Sequence, residues 1–396
     1  MIVKPRIRGF ICTTAHPTGC AKNVQDQVNY VRGRPQVKGS SNALIVGCSA
    51  GYGLASRVSA AFGCGANTIG VSFEKEPTER KTGSAGWYNN FAFDQLASST
   101  NLFSHTINDD AFADHTKAEV IKAIRNNTGS IDLLIYSLAA PIRTHPKTGE
   151  VFRSTIKPIG QTMSSRTLKL DVLTGNCEVA EIDIEEATDE EIRSTTAVMG
   201  GEDWEYWIEV LAEAGVLAKN FKTVAYTYLG NELTWPIYRG GTIGKAKEHL
   251  DETCQKLNQR FGQSGFEASI AVLKAVVTQA STAIPVVPLY FSILFREMKA
   301  RGTHEDCIDH IHRLFHEQLY QEPRREDGSG RIRMDNYELD EAVQANVAKS
   351  WEQINSENVF ELADVSGFRA DFLRLFGFGH PEVDYDAEVN PVPSHG

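Results

Sequence analysis

No two of the seven cysteines form a C-x-x-C pair; Cys12, Cys20, Cys48, Cys64, Cys177, Cys254 and Cys307 are scattered along 396 residues. An odd, dispersed set excludes a disulfide framework and fits reduced thiols in a cytoplasm. Positive charge is also scarce, with 40 Lys and Arg against 51 Asp and Glu for a net charge of −11. That balance argues against a nucleic-acid or anionic-membrane partner, so an anionic substrate would need a local basic patch. Repeats and low-complexity tracts are missing. Residues 1–20 carry Lys4, Arg6 and Arg8 but no apolar core, so no signal peptide is expected. Long hydrophobic runs are absent with one exception. Residues 275–295 have no charge and match the roughly 20 residues of a membrane span. Thr278, Gln279, Ser281, Thr282, Pro285 and Pro288 make that stretch polar and kinked. It reads instead as a buried strand and helix, with 283–295 as the wall of an apolar substrate cavity.

What is present begins at a glycine-rich turn. Ala43-Leu44-Ile45-Val46 is a short branched run typical of a buried strand, and residues 54–62 read as a helix. Between them, Gly47, Cys48, Ser49, Ala50, Gly51, Tyr52 and Gly53 give glycines spaced G-x-x-x-G-x-G. Glycines at such a turn let the backbone approach a pyrophosphate, which the helix N-terminus then holds. A second strand, residues 67–73, leads to Glu74, about 20 residues past the glycines, where a carboxylate grips the adenosine ribose and repels a 2′-phosphate. NADH is the expected cofactor; Cys48 in the turn reads as a small structural residue.

Strands and helices alternate through residues 43–140, as in a doubly wound parallel sheet. The strand at 131–136 runs into Ser137-Leu138-Ala139-Ala140-Pro141, a small-residue crest where cofactors sit in such sheets. Residues 142–200 break the rhythm with hairpin-like turns at Thr148-Gly149 and Thr174-Gly175, and Thr188 with Glu191 forms a capping box. A helix over 203–214, a strand over 223–229, a helix ending near Phe261 and a strand over 268–273 follow. The fold class is α/β, a Rossmann-type doubly wound parallel sheet, as in an enlarged short-chain dehydrogenase/reductase. We expect one elaborated domain: an N-terminal cap (1–41, helical from Asn23), a first nucleotide-binding half (42–141), a substrate-covering insertion (142–215), a catalytic region (216–300) and a helical extension (301–396). The last dozen residues look loose.

Reductases on this fold need a tyrosine to hydrogen-bond or protonate the substrate oxygen and a lysine to bind the ribose. None of the twelve tyrosines has a lysine four positions on, which disfavours an ordinary carbonyl-reducing short-chain enzyme. Tyr238 is followed by Lys245 and Lys247. Ile243, Leu250, Cys254, Leu257 and Phe261 make an apolar stripe that includes Lys247, whereas Lys245 falls on the opposite face. An inward lysine near a helix start needs a partner, and a cofactor ribose supplies one. Tyr290 and Lys299 share that offset but lack the strand-turn-helix setting.

Other candidates are weaker. Tyr226 and Tyr228 alternate on a strand and could share a side, with packing or catalysis open for each. His312 and His316 stand at metal-binding spacing, but no H-E-x-x-H pattern accompanies them, so no metal is expected. Arg296, Lys299 and Arg301 read as a solvated helix end, with contact to carrier phosphates as the alternative. Trp204, Tyr206 and Trp207 read as packing, and the acidic run from Asp183 to Glu191 as solvated surface.

Met1-Ile-Val-Lys-Pro-Arg, Gly47-Cys-Ser-Ala-Gly-Tyr-Gly-Leu-Ala-Ser56, Phe73-Glu-Lys75, Gly86-Trp-Tyr-Asn89, Tyr136-Ser-Leu-Ala139, Met199-Gly-Gly-Glu-Asp-Trp204 and Thr234-Trp-Pro-Ile-Tyr238 together resemble the FabV/TER family. These are NADH-dependent trans-2-enoyl thioester reductases with eight residues between tyrosine and lysine. The resemblance runs from Met1 through Leu375-Phe-Gly-Phe378. It implies that Gly47 to Tyr52 hold the dinucleotide, Phe73 and Glu74 the adenosine ribose, and Asp110 and Ala111 the adenine. Asp109 departs from the glycine expected there. Leu138 and Ala139 would lie beside the cofactor, Tyr228 would contact substrate, Tyr238 would donate the proton, Lys247 would bind NAD, and Val276, Val277 and Thr278 would close over the nicotinamide. The implied substrate is an enoyl thioester of acyl-carrier protein or CoA, reduced in the last step of fatty-acid elongation by a cytoplasmic monomer. A non-catalytic NADH sensor is the alternative of another class.

Overall fold

Seven parallel strands form the centre of the molecule, as seen in a computed structural model that describes residues 1–262, 265–282 and 284–393. In chain order they are β1 (Asn42–Val46), β2 (Asn67–Ser72), β3 (Ser104–Asn108), β4 (Ile131–Tyr136), β5 (Leu217–Thr227), β6 (Glu267–Val272) and β7 (Ile332–Arg333). Their spatial order is β7-β6-β5-β4-β1-β2-β3. The chain therefore winds outward in both directions from β1 and β4, which pair in register from Ala43↔Leu133 to Val46↔Tyr136. The crevice at their carboxyl ends is the topological switch point, where ligands bind in open α/β sheets.

β1 shows why an unbroken apolar run suits this position. Ala43 and Ile45 pack into one helical layer, Leu44 and Val46 into the other, and all four are buried. The first layer holds α1 (Pro17–Arg32), α2 (Gly51–Val58), α3 (Ala85–Ser98) and, from late in the chain, the helix Cys307–Leu314. The second holds α4 (Asp114–Asn127), Glu202–Glu213 and Thr242–Phe261. Trp204 and Trp207 are fully buried there, and the Trp204 indole donates to the Thr223 hydroxyl at 2.8 Å, so both are core residues. A third apolar cluster lies beyond the sheet, built on helix Val287–Arg301, helix Val365–Arg374 and the hairpin of Met163–Leu170 with Cys177–Ile184.

Three expectations need correction. α1 starts at Pro17 rather than Asn23, because His16 caps it by accepting from the Gly19 N–H and proline is at home in a first turn. The described residues of the uncharged stretch contain no strand. Thr278 and Ser281 bond each other's backbone N–H groups through their hydroxyls, and a one-turn helix, Gln279–Thr282, follows. Pro285 and Pro288 lack the N–H a strand ladder needs. Third, the tail is tied down: the Tyr88 hydroxyl donates to the Pro391 carbonyl at 2.7 Å, and the Tyr385 ring packs on His16. The hairpin excursions and the Thr188/Glu191 capping box are present. Among the described residues no helix is long and apolar enough to cross a membrane.

Candidate active site

The glycine turn leaves β1 and dovetails with the end of β4. Gly47 has φ +86°, and a Cβ on it would stand 2.3 Å from the Ser137 carbonyl oxygen. A Cβ on Gly53 would stand 1.8 Å from the Gly47 oxygen. Both glycines are thus demanded by close backbone approach. No side chain caps α2, because Ala50 occupies its N-cap, so the first-turn N–H groups are open to an anion. Cys48 is buried against Gly70 and Arg57; burial pushes its thiol up to about 11, as befits a packing residue.

Glu74 emerges at the end of β2 beside this turn. The Ser49 hydroxyl donates to its carboxylate at 2.6 Å, and its backbone pairs twice with the Asn108 side chain, at 2.7 and 2.9 Å. Gly86 lies directly beneath: a Cβ there would fall 2.1 Å from the Glu74 Oε1. Ser49, Asn108 and Gly86 therefore fix the carboxylate; Ser49 and Gly86 both stand in motifs read from the sequence, and Asn108 is the partner the structure adds. Phe73 is 77% exposed, an open aromatic face next to the carboxylate. Asp110 accepts from the Phe112 N–H at 3.0 Å, and Asp109 from the Asp110 N–H at 2.7 Å and from His115. Ala111 is buried, its carbonyl receiving Lys117, which is itself paired with buried Asp203 at 2.8 Å.

Across the crevice, Leu138 and Ala139 follow Ser137, whose N–H donates to the Val46 carbonyl at 2.9 Å. The strap after β6 comes back to the glycine turn. Thr278 borders Gly51, and Val276 and Val277 share with Ala50, Gly51 and Phe295 the lining of a cavity of about 120 Å³. Phe295 is the part of the expected apolar wall that reaches this cavity; Ala283 lies outside the described residues. The Tyr52 hydroxyl, behind the turn, donates to the Lys274 carbonyl.

Tyr228 and Tyr238 meet edge to face, ring centroids 4.8 Å apart. Tyr228 stands just past β5; Tyr238 sits on the loop that leads into helix Thr242–Phe261. The Tyr228 hydroxyl donates to Glu338 at 2.7 Å, whereas the Tyr238 hydroxyl has no protein partner among the described residues. Burial raises both phenols, with the Glu338 charge adding to the effect. The helix phase separates the two lysines as the stripe requires. Lys245 is exposed and paired with Glu248, while Lys247 donates to the Tyr226 carbonyl at 3.2 Å. Burial brings the Lys247 ammonium down to about 8, partly offset by Asp251. Tyr226 is a packing residue, its hydroxyl bonded to Ser56 at 2.7 Å.

The remaining candidates separate from the site. Tyr290 is fully buried and also donates to Glu338, at 2.9 Å, while Lys299 pairs with Asp364. Arg301 pairs with Glu297, which leaves Arg296 the exposed cation of that trio without an ion pair among the described residues. His312 and His316 have ring centroids 6.3 Å apart, and no cluster of three metal-ligating side chains exists among the described residues. Glu338 gave no signal in the sequence, since it lies in a polar loop without a motif.

Comparison with known proteins agrees along the whole chain. Residues 2–79 match the NAD(P)H binding domain of trans-2-enoyl-CoA reductase, and residues 81–320 its catalytic region. Residues 326–389 match a family described as an enoyl reductase FAD binding domain. The enoyl-[acyl-carrier-protein] reductase [NADH] of Saccharophagus degradans is 52% identical over 99% of this chain and 98% of its own. The crystal structure of Treponema denticola trans-2-enoyl-CoA reductase in complex with NAD superposes with a TM-score of 0.94 at 47% identity, covering 98% of each chain. That of the Clostridium acetobutulicum enzyme with NADH gives 0.95 at 41%, covering 99% of this chain and 98% of the other. With sheet order, glycine turn and tyrosine–lysine spacing all in agreement, the chain belongs to the trans-2-enoyl-CoA reductase family.

Proposed function

We propose that this chain uses NADH to reduce the C2–C3 double bond of trans-2-enoyl thioesters, giving saturated acyl thioesters. The observation that carries the reading is the Tyr238 hydroxyl, without a hydrogen-bond partner among the described residues, in edge contact with Tyr228, whose own hydroxyl is taken by Glu338. NADH, when bound, supplies the hydride. The glycine turn fits it, since the space a Cβ would fill at Gly47 and Gly53 is taken by backbone. Gly47 to Tyr52 hold the pyrophosphate, Phe73 and Glu74 the adenosine ribose, Asp110 and Ala111 border the adenine, and Leu138, Ala139, Val276, Val277 and Thr278 enclose the nicotinamide end. Lys247 binds the nicotinamide ribose. As hydride adds at C3, negative charge gathers on the thioester oxygen. Tyr238 hydrogen-bonds that oxygen and is the proton donor, the proton ending on C2 to complete the saturated acyl thioester, and Tyr228 walls the acyl group. Removing one such donor costs roughly 10²–10³ in turnover in comparable oxyanion sites.

A flavin does not fit residues 326–389. Val343, Val347, Phe368 and Phe372 of that segment are buried in the third apolar cluster, and its described residues hold no glycine turn between a strand and a helix. The carrier, acyl-carrier protein or CoA, and a monomeric cytoplasmic state belong to the same proposal. The test is NADH oxidation with crotonyl-CoA and then an enoyl-acyl-carrier protein. Turnover lost in Tyr238→Phe and Lys247→Ala is the expected result, and the ratio between carriers assigns the thioester. Tight NADH binding without turnover on either would favour the sensor reading.

A further inference from the structure

Glu338 is a fully buried carboxylate without an ion pair among the described residues. It is reached from three separate parts of the chain. Its Oε1 accepts from the Tyr228 hydroxyl at 2.7 Å and from the Tyr290 hydroxyl at 2.9 Å. Its Oε2 accepts from the Ala275 N–H at 2.6 Å, at the root of the strap that carries Val276 to Thr278. The Glu338 carbonyl receives the Gln344 amide at 2.6 Å, and the other end of that amide is bonded by Asn231, on the loop that bears Tyr238. The nearest ammonium, on Lys274, is spent on the carbonyls of Ala275 and Glu305, at 2.7 and 2.8 Å. Burial raises the Glu338 carboxyl, while the Ala275 N–H, the Tyr228 hydroxyl, the Lys274 charge and the Tyr290 hydroxyl favour its ionised form; ionised, it accepts only, so both phenols that touch it give it their protons.

We infer that Glu338 is a positioning residue that assigns the roles of the two site tyrosines: by taking the Tyr228 proton it leaves Tyr238 as the hydroxyl that meets the thioester oxygen. The inference rests on the enoyl-thioester reading above. It deepens that reading, because two phenols in edge contact would otherwise be equivalent donors. Tyr228 is locked as wall, with its proton turned away from the reacting atoms.

Glu338→Gln tests this at constant volume. The glutamine carbonyl must face the Ala275 N–H, so its amide N–H groups face the phenol oxygens and reverse both hydrogen bonds. The Tyr228 proton is then released toward the crevice. In a Tyr238→Phe background, where turnover with crotonyl-CoA is expected to be about a hundredfold down, adding Glu338→Gln should restore it about threefold or more, at unchanged NADH affinity. A merely structural role predicts a further loss, and a double variant no more active than Tyr238→Phe overturns the inference. Should the double variant fail to melt cooperatively, the single variants decide. Tyr228→Phe should cost about tenfold in kcat, clearly less than Tyr238→Phe, and equal losses overturn the assignment. Absence of turnover in the unaltered chain is a different failure; it removes the reductase reading and this inference with it.

Discussion

The cofactor turn and the tyrosine corner face one another across the same crevice, yet they are built by opposite means. The turn is backbone: Gly47, Gly53 and Ser137 interlock within a few residues of two neighbouring strand ends, and Ser49 reaches Glu74 only 25 positions on. The corner is side chain, with Tyr228 and Glu338 meeting across 110 positions and Ala275 and Glu338 across 63. Holding a dinucleotide needs close approach and N–H groups, which one short motif can supply. Directing a proton needs a buried acceptor and an unengaged donor in fixed relation, which remote segments must bring together.

If this division is real, chemistry and cofactor binding separate under mutation. The largest effect is expected from Tyr238→Phe, with turnover down about a hundredfold or more and NADH affinity, by fluorescence titration, within about threefold. A comparable loss of NADH affinity would dissolve the distinction. Gly53→Ala should do the reverse and damage the scaffold. Forcing a Cβ against the Gly47 carbonyl should cost about 1–3 kcal/mol, visible as a lower Tm, together with weaker NADH binding. Glu74→Ala should relax the preference for NADH over NADPH by about tenfold. Equal use of both cofactors by the unaltered chain would remove the role given to Glu74.

The smallest effect sharpens the boundary between the two regions through Lys247, the residue proposed to bind the nicotinamide ribose. Its ammonium is brought down to about 8 by burial, so it is charged below that pH and neutral above. kcat/KM for NADH should fall as pH rises through about 8 in the free enzyme. In Lys247→Arg, whose guanidinium stays charged, that limb should vanish; a limb unchanged in the arginine variant would assign it elsewhere.

How much of this could be read in the sequence follows the same divide. The β1 run, the glycine turn and Glu74 are contiguous or spaced by one βαβ unit, so strand composition, glycine spacing and the offset to an acidic residue mark them in the sequence. Lys247 was separable from Lys245 because a helix turns neighbours in sequence to different faces, and the Glu248 pair on Lys245 shows that geometry. The resemblance supplied Tyr228, Asp110 and the 276–278 strap, which no local pattern marks. Glu338 carries no mark in the sequence, and Tyr290 stands out there only by its offset to Lys299, because burial of a polar side chain is decided by what packs over it. The irregular strap escaped for a related reason: the Thr278–Ser281 hydroxyl exchange satisfies backbone that an apolar composition would assign to a strand.

The reach of the Glu338 bonds also has a consequence in time. A chain must close long loops before such contacts reward it, and loop closure grows costlier with length. The Ser49–Glu74 clamp closes early; the bond from Tyr228 to Glu338 waits for the strand, helix and loop that lie between them. On refolding from denaturant, adenosine binding should therefore reappear before reductase activity, leaving an interval in which the molecule is a nucleotide binder and not yet an enzyme.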